Sequence, residues 1–411
     1  MQVTSVIKTL FSALRHRNFR LFFAGQLVSL IGTWMQNVGQ AWLVLELTQS
    51  SFKLGIVSAL QFAPMLFLSF PAGVLIDYFP KRRLIVTAQA VMMFLALTLA
   101  LLDFSGTVRY WHILILATVL GIANTVDMPA RQSFIIEMVG KEDLMNAIAL
   151  NSSIFNAARA AGPAIAGLLI GTFGTAVCFL VNGLSYLAVI LGLYMMKFEE
   201  SAPRHRRPYS FGGDIREGLQ YIRTKPVILI TILLVAVVGV FGANFTVLVP
   251  VFVRQELQRD AAAFGLLMSC FGLGALLGAL SLALLSRRGP TPALLLGGGM
   301  GLSLTLIAIG FQNSYAVTAV LLVLAGWFLV TFFSMANTTI QLETEDRLRG
   351  RVMSIYTLTF GGLTPFGSLF AGAVAHWIKT PLTFALGGLV SGIVFFVVIM
   401  NRRKVPAWRE E

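Results

Sequence analysis

A chain of 411 residues that is 57% hydrophobic and only 12% charged falls far below the roughly 25% charge of soluble domains. Apolar runs of about 20 residues recur along it, which calls for a lipid bilayer as solvent. The net charge of +13 falls mostly at the ends of those runs, so it reads as a membrane-insertion signal and excludes nucleic acid as a partner.

Residues 1–20 are basic and amphipathic, with no small-residue cleavage site behind their apolar part, and do not read as a cleavable leader. Hydropathy then predicts twelve spans, at about 18–46, 51–77, 83–103, 110–138, 143–171, 175–197, 226–253, 262–286, 291–311, 315–342, 350–376 and 381–401. With the N-terminus inside, 24 Lys and Arg fall on the cytoplasmic side and 5 outside. Both termini are therefore expected in the cytoplasm of a multi-pass cell-membrane protein. Cys178 and Cys270 sit in separate apolar runs and read as packing residues.

Segment 1 carries Gln26, Ser29, Thr33, Gln36 and Gln40, a spacing that holds all five on one helix face. Such a face is costly in lipid, so it is expected to line a cavity; hydrogen bonding to neighbouring helices is the alternative. Segment 2 ends in "PAGVLIDYFPKRR". There Asp77 meets the unfavourable end of the helix dipole, and Lys81 and Arg82 offset it. Segment 4 contains "NTVDMPARQS": Asp127 and Arg131 are four apart with Pro129 between them. They form a candidate buried pair able to exchange a proton for a cation, or else a static ion pair. Segment 5 adds Asn156 and Arg159 near mid-membrane, then Gly162, Pro163 and Gly167, which permit close helix packing. Asn244 in segment 7 and Asn337 with Gln341 in segment 10 complete the candidate cavity residues.

The polar stretch 198–225 divides the chain into halves 1–197 and 226–411, and its "IREGLQYIRTK" can form a short amphipathic helix on the membrane surface. Its "PRHRRP" reads as a solvated loop able to touch anionic lipid heads. Gly162 and Gly167 recur as Gly367 and Gly372, 205 residues later, which points to a duplicated six-helix unit. In the same register Asp77 becomes Leu282, so coupling chemistry is expected in the first half.

These motifs resemble the major facilitator superfamily over nearly the whole chain. Gly73, Asp77, Lys81 and Arg82 match its signature between segments 2 and 3, while Tyr78 and Pro80 stand where Arg and Gly are usual. "RAAGPAIAG" resembles the segment 5 motif of its exporters. "MPARQS", "LMNAIALNSSIFNAARAAGP" and "LRGRVMSIY" are similar to the branch of enterobactin exporters and macrolide efflux proteins. The segment 4 Arg of many drug/proton antiporters is replaced by Ala117, so their proton mechanism does not carry over whole.

The resemblance implies an all-α membrane protein, with twelve transmembrane helices in two pseudo-symmetric six-helix halves around a central cavity. It implies that Asp77 docks near Gly350 and Arg351 as a conformational latch, and that the protein exports a small amphipathic molecule; from the buried charges Asp127, Arg131 and Arg159 that export is expected to run against protons, in a monomer without cofactor or metal. A lysophospholipid flippase and a non-transporting sensor or assembly factor remain open. No G-x-x-x-x-G-K-[ST] or H-E-x-x-H occurs, and all four histidines lie near span ends or in loops, so an ATP-driven pump and an enzyme are not expected.

Overall fold

The computed structural model describes residues 11–197, 211–285 and 291–402. The "PRHRRP" stretch and the cations Lys8, Arg287, Arg288, Arg403, Lys404 and Arg409 lie outside the described residues. Among the described residues thirteen helices run in chain order: α1 Arg17–Thr48, α2 Ser51–Tyr78, α3 Lys81–Phe104, α4 Tyr110–Val139, α5 Leu144–Phe173, α6 Ala176–Met195 and α7 Phe211–Thr224. After them come α8 Pro226–Glu256, α9 Ala261–Leu285, α10 Pro292–Gly310, α11 Tyr315–Glu343, α12 Arg349–Ile378 and α13 Thr380–Asn401.

In lipid every backbone amide needs a partner, and helices supply one internally. Among the described residues, eleven of these helices are long and apolar enough to cross a bilayer. The first predicted span, α1, has 32 residues and so reaches about 48 Å. Its glutamines dilute the apolar character that marks the other eleven. Turns are short and capped: Ser50 accepts from the Lys53 amide at 3.3 Å and Thr291 from the Leu294 amide at 3.3 Å. Gly140, at φ 72°, ends α4 in a conformation that a side chain would strain.

Two helices are broken where the spacing predicts continuous ones. In α8 the Ala243 amide bonds back five residues to the Val238 carbonyl at 2.8 Å, a π-turn that releases Asn244 from the helix. In α12 the chain steps at Leu363, ahead of Pro365, whose missing N–H cannot continue the ladder. The two breaks face each other: a Cβ on Gly367 would lie 2.7 Å from the Gly239 carbonyl and 2.8 Å from Asn244 Oδ1.

Call the end that holds Ser12 and Arg402 the basic end. There the first six and last six helices are apart, and at the far end they touch. One face of α5 shows the change. Met145, Ile148, Ser152 and Phe155 are exposed, Arg159 is half-buried, and Pro163, Gly167 and Ile170 are buried. The same gradient runs along α9 in reverse, from buried Gly265 and Gly272 through half-buried Leu276 to exposed Ala283. The seal consists of glycine backbones and small hydroxyls. Gly265 lies against Pro163 and Gly167, Gly55 against Gly372, and the Ser58 and Ser368 hydroxyls sit 2.9 Å apart. The recurring glycines occupy equivalent places. Gly162 faces Trp34 on α1 as Gly367 faces α8, while Gly167 faces α9 as Gly372 faces α2.

At the basic end a single turn, Ser12–Arg15, is tied to the start of α5. Asp143 accepts from the Ser12 hydroxyl at 2.5 Å and contacts His16 Nε2 at 2.8 Å, and Asn146 Oδ1 accepts from the Ala13 amide at 3.0 Å. The Ser12 and His16 hydrogen bonds hold the Asp143 carboxyl below the usual aspartate range. A depressed carboxyl contributes stability above its unfolded pKa and loses it as pH falls through the folded one. The tie is thus expected to be intact at neutral pH and to loosen only below about pH 4. Amide exchange of residues 12–16, expressed as protection relative to the intrinsic rate at each pH, measures it: Asp143→Asn should lower protection about tenfold at pH 7, and wild type should lose the same protection only in acid.

Candidate functional site

Three helices converge on one buried carboxylate. Asp127 on α4 is 0% exposed. Gln89 Nε2, from α3, donates to its Oδ1 at 3.1 Å. Arg131 Nε, one turn further along α4, lies 2.7 Å from Oδ2. The Nε hydrogen is not aimed at that oxygen, so the contact is coulombic rather than a directed hydrogen bond. Arg131 Nη1 donates instead to Gln26 Oε1 on α1. Pro129 does not open α4, which runs unbroken from Tyr110 to Val139.

Fully paired, such a node would stiffen the bundle; this one is left incomplete. Among the described residues Gln26 Nε2 and Gln89 Oε1 are buried without a hydrogen-bond partner, each at a cost of about 1–3 kcal/mol. Removing the donor to Asp127 makes this cost measurable: Gln89→Leu is expected to lower stability by about 1–3 kcal/mol, read as an earlier thermal transition of the purified protein.

The rest of the α1 stripe continues the polar contacts toward the far end. Gln36 Oε1 accepts from Asn182 Nδ2 at 2.6 Å, and Asn182 is also bonded to the Tyr186 and Ser185 hydroxyls at 3.2 and 3.1 Å. Gln40 donates to Gln61 on α2 at 2.8 Å, and the Thr33 hydroxyl returns to the Ser29 carbonyl at 2.9 Å. All of the stripe except Thr33 is buried, and its bonds go to α2, α4 and α6.

Arg159 stands apart from Asp127. Its Nη2 donates to Asn156 Oδ1 at 2.7 Å and its guanidinium lies over the Phe155 ring at 5.8 Å. Trp34 meets that ring edge-on at 5.9 Å. In the second half, Asn244 donates to the Val240 carbonyl at 2.7 Å and Gln341 to Asn337 at 2.5 Å, so neither is brought to the Asp127 node. Trp327 Nε1 donates to the Ser281 hydroxyl at 2.9 Å in a crevice between α9, α10 and α11.

At the basic end Asp77 is exposed and, among the described residues, has no hydrogen bond or ion pair, and none of those residues lies within 4 Å of a Cβ on Gly73 or Gly350. Lys81 pairs with Glu137 on α4, and Arg82 donates to the Tyr194 carbonyl at 3.3 Å. Arg351 is held by Glu217 of α7 at 2.5 Å, and Arg347 reaches the same carboxylate at 3.4 Å. Sequence reasoning missed Gln89, Gln61, Asn182 and Glu217. The first three were visible as amides in apolar helices, but Glu217 has no pattern that marks its partner. Among the described residues no cluster of metal-ligating side chains occurs.

A membrane-spanning helical bundle that seals at one end and opens at the other, with its charges held inside, is the architecture of a major facilitator transporter. The chain belongs to the transmembrane secretion effector family, whose model matches residues 8–411, and is a multi-pass membrane transporter, not an enzyme. It is 27% identical over 403 residues to the staphyloferrin A transporter of Staphylococcus aureus, covering 95% of this chain and 98% of that one. It is 27% identical over 405 residues to the multidrug efflux pump Tap of Mycobacterium tuberculosis, covering 95% and 94%. It is 24% identical over 400 residues to the enterobactin exporter EntS of Shigella boydii, covering 95% and 93%. Its fold is similar to a bacterial homologue of the lysosomal transporter Spinster, with a TM-score of 0.69, 14% identity and 93% and 95% of the two chains covered.

Proposed function

We propose that the protein exports amphipathic organic molecules of siderophore or drug type by proton antiport, through rocking of the halves 1–197 and 226–411. The single observation that carries this reading is the incomplete buried node around Asp127. A neutralised Asp127 gains an O–H donor, and a half-turn of the Gln89 amide presents Oε1 to accept it. Protonation then releases Arg131, which Gln26 alone retains. Both buried partners change state with one proton, which suits Asp127, Arg131 and Arg159 as the charges of a transport cycle.

The excess of cations near Ser12, Lys81, Lys141 and Arg402 supports a cytoplasmic basic end, so the cleft seen here is open to the cytoplasm. Closing that end would bring Asp77, with Gly73, Lys81 and Arg82, toward Gly350 and Arg351, where Glu217 now sits. Gly162, Pro163 and Gly167 supply the close packing about which the halves turn. Asn156, Asn244, Asn337 and Gln341 are the polar groups offered to cargo, and the α1 stripe, bonded to its neighbours, is the frame of the first half. The names of the relatives, a siderophore transporter, an efflux pump and a siderophore exporter, support export over lipid flipping.

Proteoliposomes with an imposed pH gradient test the reading. A citrate-type siderophore, a catecholate siderophore and ethidium are offered in turn. Uphill movement of any of them, abolished by a protonophore, is the expected result; gradient-independent equilibration of all three would sink proton coupling.

A further inference from the structure

We propose that Arg159 is the anion subsite of the cleft and that the cargo is an amphipathic carboxylate, its carboxylate on the guanidinium and its apolar body against Phe155 and Trp34. The inference deepens the exporter reading and rests on it. Fifteen residues beyond Leu144 on α5, Arg159 lies about 22 Å from the basic end along the helix, so it is near mid-membrane. An arginine there is costly to insert, and such groups persist where they are paired or used. Among the described residues Arg159 has no carboxylate partner; its neighbours are a neutral amide and a ring face. Its Nε is buried without a hydrogen-bond acceptor. Arg131, the other cation inside the bundle, is paired with Asp127. One protein acid is thus matched to one of two buried cations, and the second keeps its donors for something else.

The position fits a ligand. On α5 the exposed face of the cleft ends at Phe155 and the buried face begins at Pro163, with Arg159 at the tip between them. One side of the tip is α1, where Trp34 stacks edge-on against Phe155. The other is α9, where Gly272 lies against the Arg159 carbonyl and a Cβ there would be 2.8 Å from Ala160 Cα. A planar guanidinium offers two parallel N–H donors to a carboxylate, which a lysine cannot. Asn156 takes up one Nη2 donor and fixes the plane. Because the tip is the seam between α5 and α9, cargo held there loses one wall when the halves rock apart, which links release to the conformational change.

Titration calorimetry of the detergent-solubilised full chain tests this with 2-naphthoate and its neutral isostere 2-naphthamide. The wild type should bind the acid about tenfold or more tighter than the amide. Arg159→Gln should abolish that preference, and Arg159→Lys should restore only part of it. Equal affinity for acid and amide in the wild type, absence of saturable binding of either, or a preference surviving in Arg159→Gln each overturns the subsite. The wild-type comparison stands even if the variants fail to fold. Failure of uphill export by the wild type removes the exporter reading without altering the naphthoate comparison. Parity of acid and amide removes the subsite while export stands.

Discussion

Asp127→Asn is expected to reduce uphill, pH-driven export to the level of protein-free vesicles while leaving downhill equilibration of the same cargo in place. The reason is local. Asparagine keeps the volume of the carboxyl and an oxygen for Gln89 Nε2, which now lies 3.1 Å from Asp127 Oδ1, but it carries no proton to exchange. Arg131 retains Gln26 as a partner and is 20% exposed, so the variant should fold. Arg131→Gln is the contrasting change, because it strands a carboxylate that is 0% exposed. Breaking a buried pair this way costs about 3–5 kcal/mol, so that variant should lose thermal stability as well as transport. Parallel flux and melting curves on the two variants separate a coupling site from a brace. A static pair would give equal losses in both assays, and Asp127→Asn would then stop downhill movement too.

The second large effect is expected from Gly265→Val. A Cβ at Gly265 would lie 2.8 Å from Gly167 Cα and 2.9 Å from its amide, and would press on the Pro163 carbonyl. These are backbone atoms that cannot rotate away. Overpacking of this kind costs about 1–3 kcal/mol, and 3 kcal/mol shifts a two-state equilibrium by more than about a hundredfold. The substitution should therefore hold the far end open and cut transport to a few per cent. A cysteine pair reads the seal directly. Ser58 and Ser368 have hydroxyls 2.9 Å apart, so Ser58→Cys with Ser368→Cys, in a chain with Cys178 and Cys270 replaced by Ala, should cross-link. The cross-link should vanish when Gly265→Val is added. Its persistence, with normal transport, would show that the α5–α9 contact does not govern closure.

Much of the architecture was legible because lipid enforces helices and the apolar runs mark them. Asp127 and Arg131 were legible too: four residues apart on one helix, they meet in the structure at 2.7 Å. What acts across helices was harder. Arg159 reads as a charge near mid-membrane, with nothing in the pattern to say which groups it meets: its own helix turns it toward Phe155 and Asn156, and rotation about a helix axis is set by packing against neighbours. The α1 stripe was clear as a face, but periodicity states only that a face exists, not whether water or another helix meets it. The breaks in α8 and α12 were hidden for a related reason. Pro365 marks a step only once the helix is known to restart there, and Asn244 alone does not mark a break; the close approach of Gly367 to Gly239 and Asn244 shows that the two irregularities meet.

The glycine seal at the far end carries a last consequence. It is made of backbone contacts, two hydroxyls and stacked rings such as Trp42 on Phe264, with the Arg254 guanidinium over the Trp42 ring at 5.2 Å as a charged edge. The basic end, by contrast, carries Asp77, Glu217, Arg347 and Arg351, all at or near the surface. In the proposed cycle the two ends would therefore differ in how strongly they answer to charge. Added salt screens surface charges over about 8 Å at physiological ionic strength and is expected to act mainly on the basic end, whereas changes in packing should act mainly on the far one.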